Sequence, residues 1–182
     1  RLSPVLSQGV AAYDQGRLGE AGTVAEQALA QNPANPGALT LAGWVHLQRR
    51  QPEEALKFFQ RVSKPGAAAM LGTALAQYQT GDAVGAYELM QSAHKLNPAN
   101  PVVTAMTGYF AMLLGRADEA RRLLTEAAAS SSPVAQLLAL SYLAQMDLVQ
   151  NRKDEARTQA DRALNLMPSS PLALLTRALV DI

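Results

Sequence analysis

The sequence predicts an all-α chain built as an array of helix–turn–helix units, and three columns of residues carry that prediction. Ala21, Ala55, Ala86, Ala120 and Ala156 recur at spacings of 34, 31, 34 and 36. A second column, Ala28, Val62, Ala93, Ala127 and Ala163, keeps the same four spacings, and so does a third, Gly16, Arg50, Gly81, Gly115 and Asn151. Three columns sharing one irregular rhythm define a repeat with a period near 34. No segment shows the strict alternation of a half-buried strand.

The residue types explain the columns. Each Ala stands seven residues from its partner, two turns along one helix face, where a close neighbour leaves room for nothing larger. Gly or Asn in the third column suits the left-handed backbone that ends a helix. Arg50 departs from that logic, so the turn there is expected to differ, with Pro52 opening the next helix.

In order along the chain, first helices are predicted over about 4–15, 36–49, 67–80, 101–114 and 134–150. Second helices follow over about 18–31, 52–63, 82–96, 117–130 and 153–166, and a last first-type helix runs 171–182. The stretch NPANP, at Asn32–Pro36 and again at Asn97–Pro101, reads as the joint between units. Asn32 and Pro33 stop one helix, the Asn by tolerating a left-handed end and the Pro by lacking an N–H. Asn35 caps the next helix and Pro36 occupies its first turn. The joint after the second unit is clipped to Ser63–Gly66, "SKPG". The whole is expected to form one solenoid domain over 1–182, with repeats of about 1–34, 35–66, 67–100, 101–132 and 133–170 and a half repeat 171–182. A start at Arg1 rather than Met suggests a processed form or a domain excised from a longer chain.

Composition excludes several function classes. Sixteen Lys and Arg against fifteen Asp and Glu leave a formal charge of +1, with no basic footprint for nucleic acid or anionic lipid. There is no cysteine for a disulfide, a thiolate nucleophile or a Cys-type metal site. Ala127–Met146 lacks any charge over twenty residues, but its Ser run, Pro and two Gln make it poor membrane-spanning material. Acids are spread at the repeat period on helix starts, and His46 and His94 lie 48 residues apart in helical register. Nothing therefore converges as acid–base or nucleophilic catalysis requires, and neither catalytic residue, metal nor cofactor is expected. Arg17, Arg49, Arg50, Arg116, Arg152 and Lys153 near helix ends, and Glu20, Glu53, Glu54, Asp118, Glu119, Asp154 and Glu155 at helix starts, read as complements of helix dipoles.

On these residues the chain resembles the tetratricopeptide repeat family. The first copy supplies Gly9, Ala21, Ala28 and Pro33, the second Gly43 and Ala55, and the third Ala74, Ala86, Ala93 and Pro98. The fourth supplies Gly108, Ala120 and Ala127, and the fifth Ala144, Ala156, Ala163 and Pro168. The early bulky position holds Val5, Leu39, Met70, Thr104 and Leu140 where the family favours Trp. The resemblance implies a right-handed superhelical solenoid of stacked antiparallel helix pairs, with first helices lining a concave surface that binds a peptide or a partner helix.

By register the inner stripes are Leu6, Val10, Tyr13; Thr40, Trp44, Leu47, Gln48; Leu71, Leu75, Tyr78, Gln79; Ala105, Tyr109, Met112; and Ser141, Gln145, Leu148, with Tyr142 beside the last. The partner-binding residues expected from them are Tyr13, Thr40, Trp44, Gln48, Leu75, Tyr78, Gln79, Tyr109, Met112, Tyr142 and Gln145. Apolar and aromatic contact supplemented by amide hydrogen bonds would then hold a protein or peptide. A carboxylate clamp is disfavoured, because no Lys or Arg occurs within 36–48, 67–78, 101–114 or 134–150 to pair a buried anion. An alternative is self-association through the final helix, PLALLTRALVDI, which is apolar along Leu172, Leu175, Leu179 and Ile182, or a docking role fused to an enzyme or assembly component.

Overall fold

A computed structural model of the chain describes residues 3–182, and Arg1 and Leu2, which open the first predicted repeat, lie outside the described residues. Those described residues form eleven helices and no strand. They are α1 (Pro4–Asp14), α2 (Leu18–Gln31), α3 (Pro36–Gln48), α4 (Pro52–Phe59), α5 (Ala67–Gln79), α6 (Ala83–Leu96), α7 (Pro101–Leu113), α8 (Ala117–Ala128), α9 (Pro133–Val149), α10 (Lys153–Leu166) and α11 (Pro171–Val180). The chain divides into two compact units, one ending at Leu89 and the other spanning Met90–Ile182. In the first, each of α1 to α5 packs on its sequence neighbours, and the first-type helices α1, α3 and α5 also touch in that order. In the second, α7 to α11 do the same, with α7, α9 and α11 in line.

Helix starts follow from capping chemistry. Ser3, Asn35, Asn100, Ser132 and Ser170 each precede a Pro and accept a hydrogen bond from a first-turn N–H, as when Asn35 Oδ1 accepts from Gly37 at 3.0 Å and Ala38 at 3.1 Å. The turns inside the pairs are uniform: Gly16, Gly81 and Gly115 have φ of 75°, 97° and 73°, and Arg50 and Asn151 have 60° and 56°. Arg50 therefore does not alter its turn. Its N–H still bonds the Leu47 carbonyl and the next N–H bonds His46, so the closing hydrogen bonds hold a residue that has no intrinsic preference for that conformation. Asn32 is the opposite case. It lies extended at φ −142°, and its side chain accepts from the Ala34 N–H at 3.1 Å, so an Asx turn rather than a left-handed residue ends α2.

The helix that departs most from its predicted length is α4. It stops at Phe59 rather than near 63, because Arg61 and Val62 bond three residues back, to Phe58 and Phe59, and tighten the chain. That tightening turns Val62 into the core at 7% exposure. Phe59 itself is 3% exposed and its ring fills the space between two glycines. A Cβ on Gly43 would lie 2.5 Å from the Phe59 ring, and one on Gly72 would lie closer still. Elsewhere the same device uses other side chains: Val24 seats over Gly9, and Leu124 over Gly108.

The second unit adds a buried charge. Asp147, 2% exposed on α9, accepts from Arg121 Nη2 of α8 at 2.8 Å and from Arg152 Nη2, just before α10, at 2.6 Å. One carboxylate thus ties three helices together, with charge-assisted bonds offsetting its desolvation. Thr107 is also buried, and its hydroxyl turns toward the Val103 and Met90 carbonyls.

Gly72→Ala is expected to destabilise the chain by about 1–3 kcal/mol in urea denaturation, despite the better helix propensity of Ala, because the Phe59 ring has no free side to move toward. Unchanged stability would mean that the ring can move aside.

A candidate interaction site on the first helices

Trp44 is the centre of the site in the first unit. Its position follows from α3 register: Gly43 faces Phe59, so the next residue turns toward α1 and α5. There the indole meets Tyr13 edge-on at 6.3 Å and Phe59 edge-on at 6.2 Å between ring centroids, and its Nε1–H donates to the Ala68 carbonyl at 3.2 Å. Tyr13, near the end of α1, hydrogen-bonds the Gln48 side chain, and burial, partly countered by that bond, raises its hydroxyl pKa. The Thr40 hydroxyl donates to the Pro36 carbonyl at 2.7 Å, so it is already engaged within α3.

These residues wall an open, mostly apolar cavity of about 520 Å3. Tyr13, Thr40 and Trp44 line it, and Gln48 is tied to Tyr13 at its side. Leu75, Tyr78 and Gln79 are not among its walls: Leu75 packs against the cluster around Phe59, and Tyr78 and Gln79 are exposed at the end of α5. The remaining walls include residues outside the predicted set, notably Asp14, Val62, Lys64, Gly66 and Ala68. The clipped SKPG joint was the visible sign of Lys64 and Gly66, since a departure from the regular joint is where a new surface can form.

In the second unit the predicted residues form a separate aromatic group. Tyr109 and Tyr142 stack at 4.4 Å between centroids with their planes 27° apart, and Tyr109 also leans on Phe110 at 5.1 Å. Burial, and then the neighbouring Tyr109, push the Tyr142 hydroxyl far above the ordinary tyrosine range. Met112 and Gln145 are half-buried on the same two helices. Four members of the inner stripes are corrected: Leu6, Leu47, Ala105 and Ser141 are 3%, 6%, 0% and 0% exposed. A helix face wide enough to pack on both neighbours buries residues that a narrow stripe assigns to the open surface.

The tetratricopeptide repeat family model matches residues 12–79 and 77–141. Among solved structures, a thermophilic tetratricopeptide repeat protein of Thermus thermophilus aligns with a TM-score of 0.82 at 25% identity, over 97% of this chain and 96% of its own. A tetratricopeptide repeat protein of Parabacteroides merdae aligns with a TM-score of 0.82 at 15% identity, over 98% of this chain and 70% of its own. YrrB, described as having an unusual peptide-binding site, aligns with a TM-score of 0.61 at 17% identity, over 96% and 91%. No curated protein sequence matches the chain.

The fold favours neutral Tyr142, so its contribution is full below the unfolded-state value of 10.0 and is lost as pH rises toward its higher folded value. Phenolate absorbance is expected to show a late-titrating tyrosine that Tyr142→Phe removes. If all tyrosines titrated together near their ordinary value, the stacked, buried arrangement would be wrong.

Proposed function

This chain belongs to the tetratricopeptide repeat family, and from that premise we propose that it is a non-catalytic scaffold that binds a protein or peptide along its first helices. The fold is generally a protein-interaction scaffold, and members of the family are typically non-catalytic. The contact residues in this reading are Tyr13, Thr40, Trp44, Gln48, Leu75, Tyr78 and Gln79 in one unit and Tyr109, Met112, Tyr142 and Gln145 in the other. The repeat columns run through both units, which supports reading them as one array.

The observation that carries the proposal is the cavity walled by Trp44, Tyr13 and Thr40. Its apolar lining and aromatic wall match the anchor pockets in which a few buried side chains supply most of the binding energy. YrrB is described as having a peptide-binding site, so the fold carries peptide recognition in that protein. No described helix is long and apolar enough to cross a membrane.

A specific observation favours a second reading, self-association through α11. Leu174, Leu175 and Leu179 are 51%, 56% and 40% exposed, while Ala173, Thr176 and Val180 face α9 and α10. Ala178 continues the small-residue positions Gly9, Gly43, Ala74, Gly108 and Ala144, yet it alone of that series is exposed. At Gly9, Gly43 and Gly108 the equivalent position is covered by Val24 of α2, Phe59 of α4 and Leu124 of α8.

Two measurements separate the readings. Peptides selected by display against the folded chain should change Trp44 fluorescence and bind about tenfold or more weakly to a Trp44→Ala, Tyr109→Ala variant. Unchanged affinity in that variant, with helicity intact, would remove the first-helix assignment. For self-association, light scattering should show a concentration-dependent dimer that Leu175→Glu with Leu179→Glu dissociates. A monomer at every concentration would remove the second reading.

A further inference from the structure

The cavity in the first unit owes its shape to the irregular joint after α4. α4 ends at Phe59, Val62 turns inward, and Lys64 and Gly66 of the joint that follows line the cavity. Asp14, the last residue of α1, also lines it. Asp14 at the end of α1 and Lys64 in the joint before α5 thus line the same cavity as Thr40 and Trp44 of α3. Both side chains are exposed, and neither makes an ion pair or hydrogen bond among the described residues. Elsewhere in the same unit Arg17 pairs with Glu20 and Lys57 with Glu54.

An occupant of the apolar floor would cover part of Asp14 and Lys64. A neutral occupant displaces some of the water around both charges and offers no counter-charge, and a singly charged one complements only one of them. Building on the peptide-binding reading above, we propose that the cavity selects a short peptide segment whose bulky apolar side chains are bracketed by a basic residue meeting Asp14 and an acidic residue meeting Lys64. The charges then fix the direction in which the segment lies across α3, while the Trp44 and Tyr13 rings take up its apolar centre.

Trp44 is the single tryptophan, so its fluorescence reports the cavity directly. The probes are two blocked synthetic peptides, Lys-Leu-Phe-Leu-Glu and its reverse Glu-Leu-Phe-Leu-Lys, and a neutral peptide with Gln at both ends. One charged order is expected to bind about tenfold tighter than the other and than the neutral peptide, with the gap closing at high salt. In a chain carrying Asp14→Lys and Lys64→Asp, both at exposed sites, the preferred order should invert. If all three peptides bind equally and quench Trp44, the charge assignment is overturned while the peptide-binding reading stands. A preference that survives the double exchange unchanged also overturns it. If none of the three perturbs Trp44, the cavity is not a peptide site, and the inference fails together with the cavity's place in that reading.

Discussion

The first unit is organised by the Phe59 ring held between Gly43 and Gly72, an approach too close for a Cβ on either side. Burying an aromatic side chain contributes roughly 1.5–3 kcal/mol, and the contact also sets geometry that cannot be adjusted independently. The ring joins α3, α4 and α5, supports Trp44 edge-on, and so determines where the indole N–H finds the Ala68 carbonyl. The cavity wall is a consequence of that chain of contacts. Elsewhere the repeats use Val24 over Gly9 and Leu124 over Gly108, so a small residue facing a bulky one is the common unit of packing.

Polar groups in the interior serve the packing. Asp147 engages Arg121 and Arg152 through its carboxylate, and Thr107 turns its hydroxyl to two carbonyls. His46 bonds Gln51 and stacks on Phe58, and His94 lies 3.2 Å from the Thr104 hydroxyl. These are neighbours that orient and satisfy one another rather than groups converging on a shared open space. The polar atoms of the candidate site are similarly committed, with the Trp44 N–H, the Tyr13 hydroxyl and the Thr40 hydroxyl each engaged internally. What remains in its lining is mostly apolar, with the exposed Asp14 and Lys64 among its residues.

Much of this was legible from local chemistry. The cap-plus-Pro pairs located the starts of α1, α3, α7 and α11, and α9 began one residue early at its own Pro, because a cap needs only the residues beside it. The left-handed turns at Gly16, Gly81, Gly115 and Asn151 were legible for the same reason. Arg50 was misread because its conformation is imposed by the two hydrogen bonds that close the turn and not by its own preference. Leu6, Leu47, Ala105 and Ser141 were misread because a stripe assigns one neighbour per face, whereas a helix inside a stack has several. In the cavity, Tyr13, Thr40 and Trp44 could be named from register, but Asp14, Val62, Lys64 and Gly66 could not be joined to them.

The sequence by itself determined the number of helices, their order and the family, since periodic alanines, caps and turn residues act over a few positions and repeat five times. Tertiary structure alone decided which exposed residues share a surface. The clipped joint shows why: its missing residues are visible in the sequence, but their effect is to end α4 early, turn Val62 inward and bring Lys64 beside a floor built by α3. That outcome depends on how the Phe59 ring packs between two other helices, a relation among residues distant in sequence that no local pattern encodes.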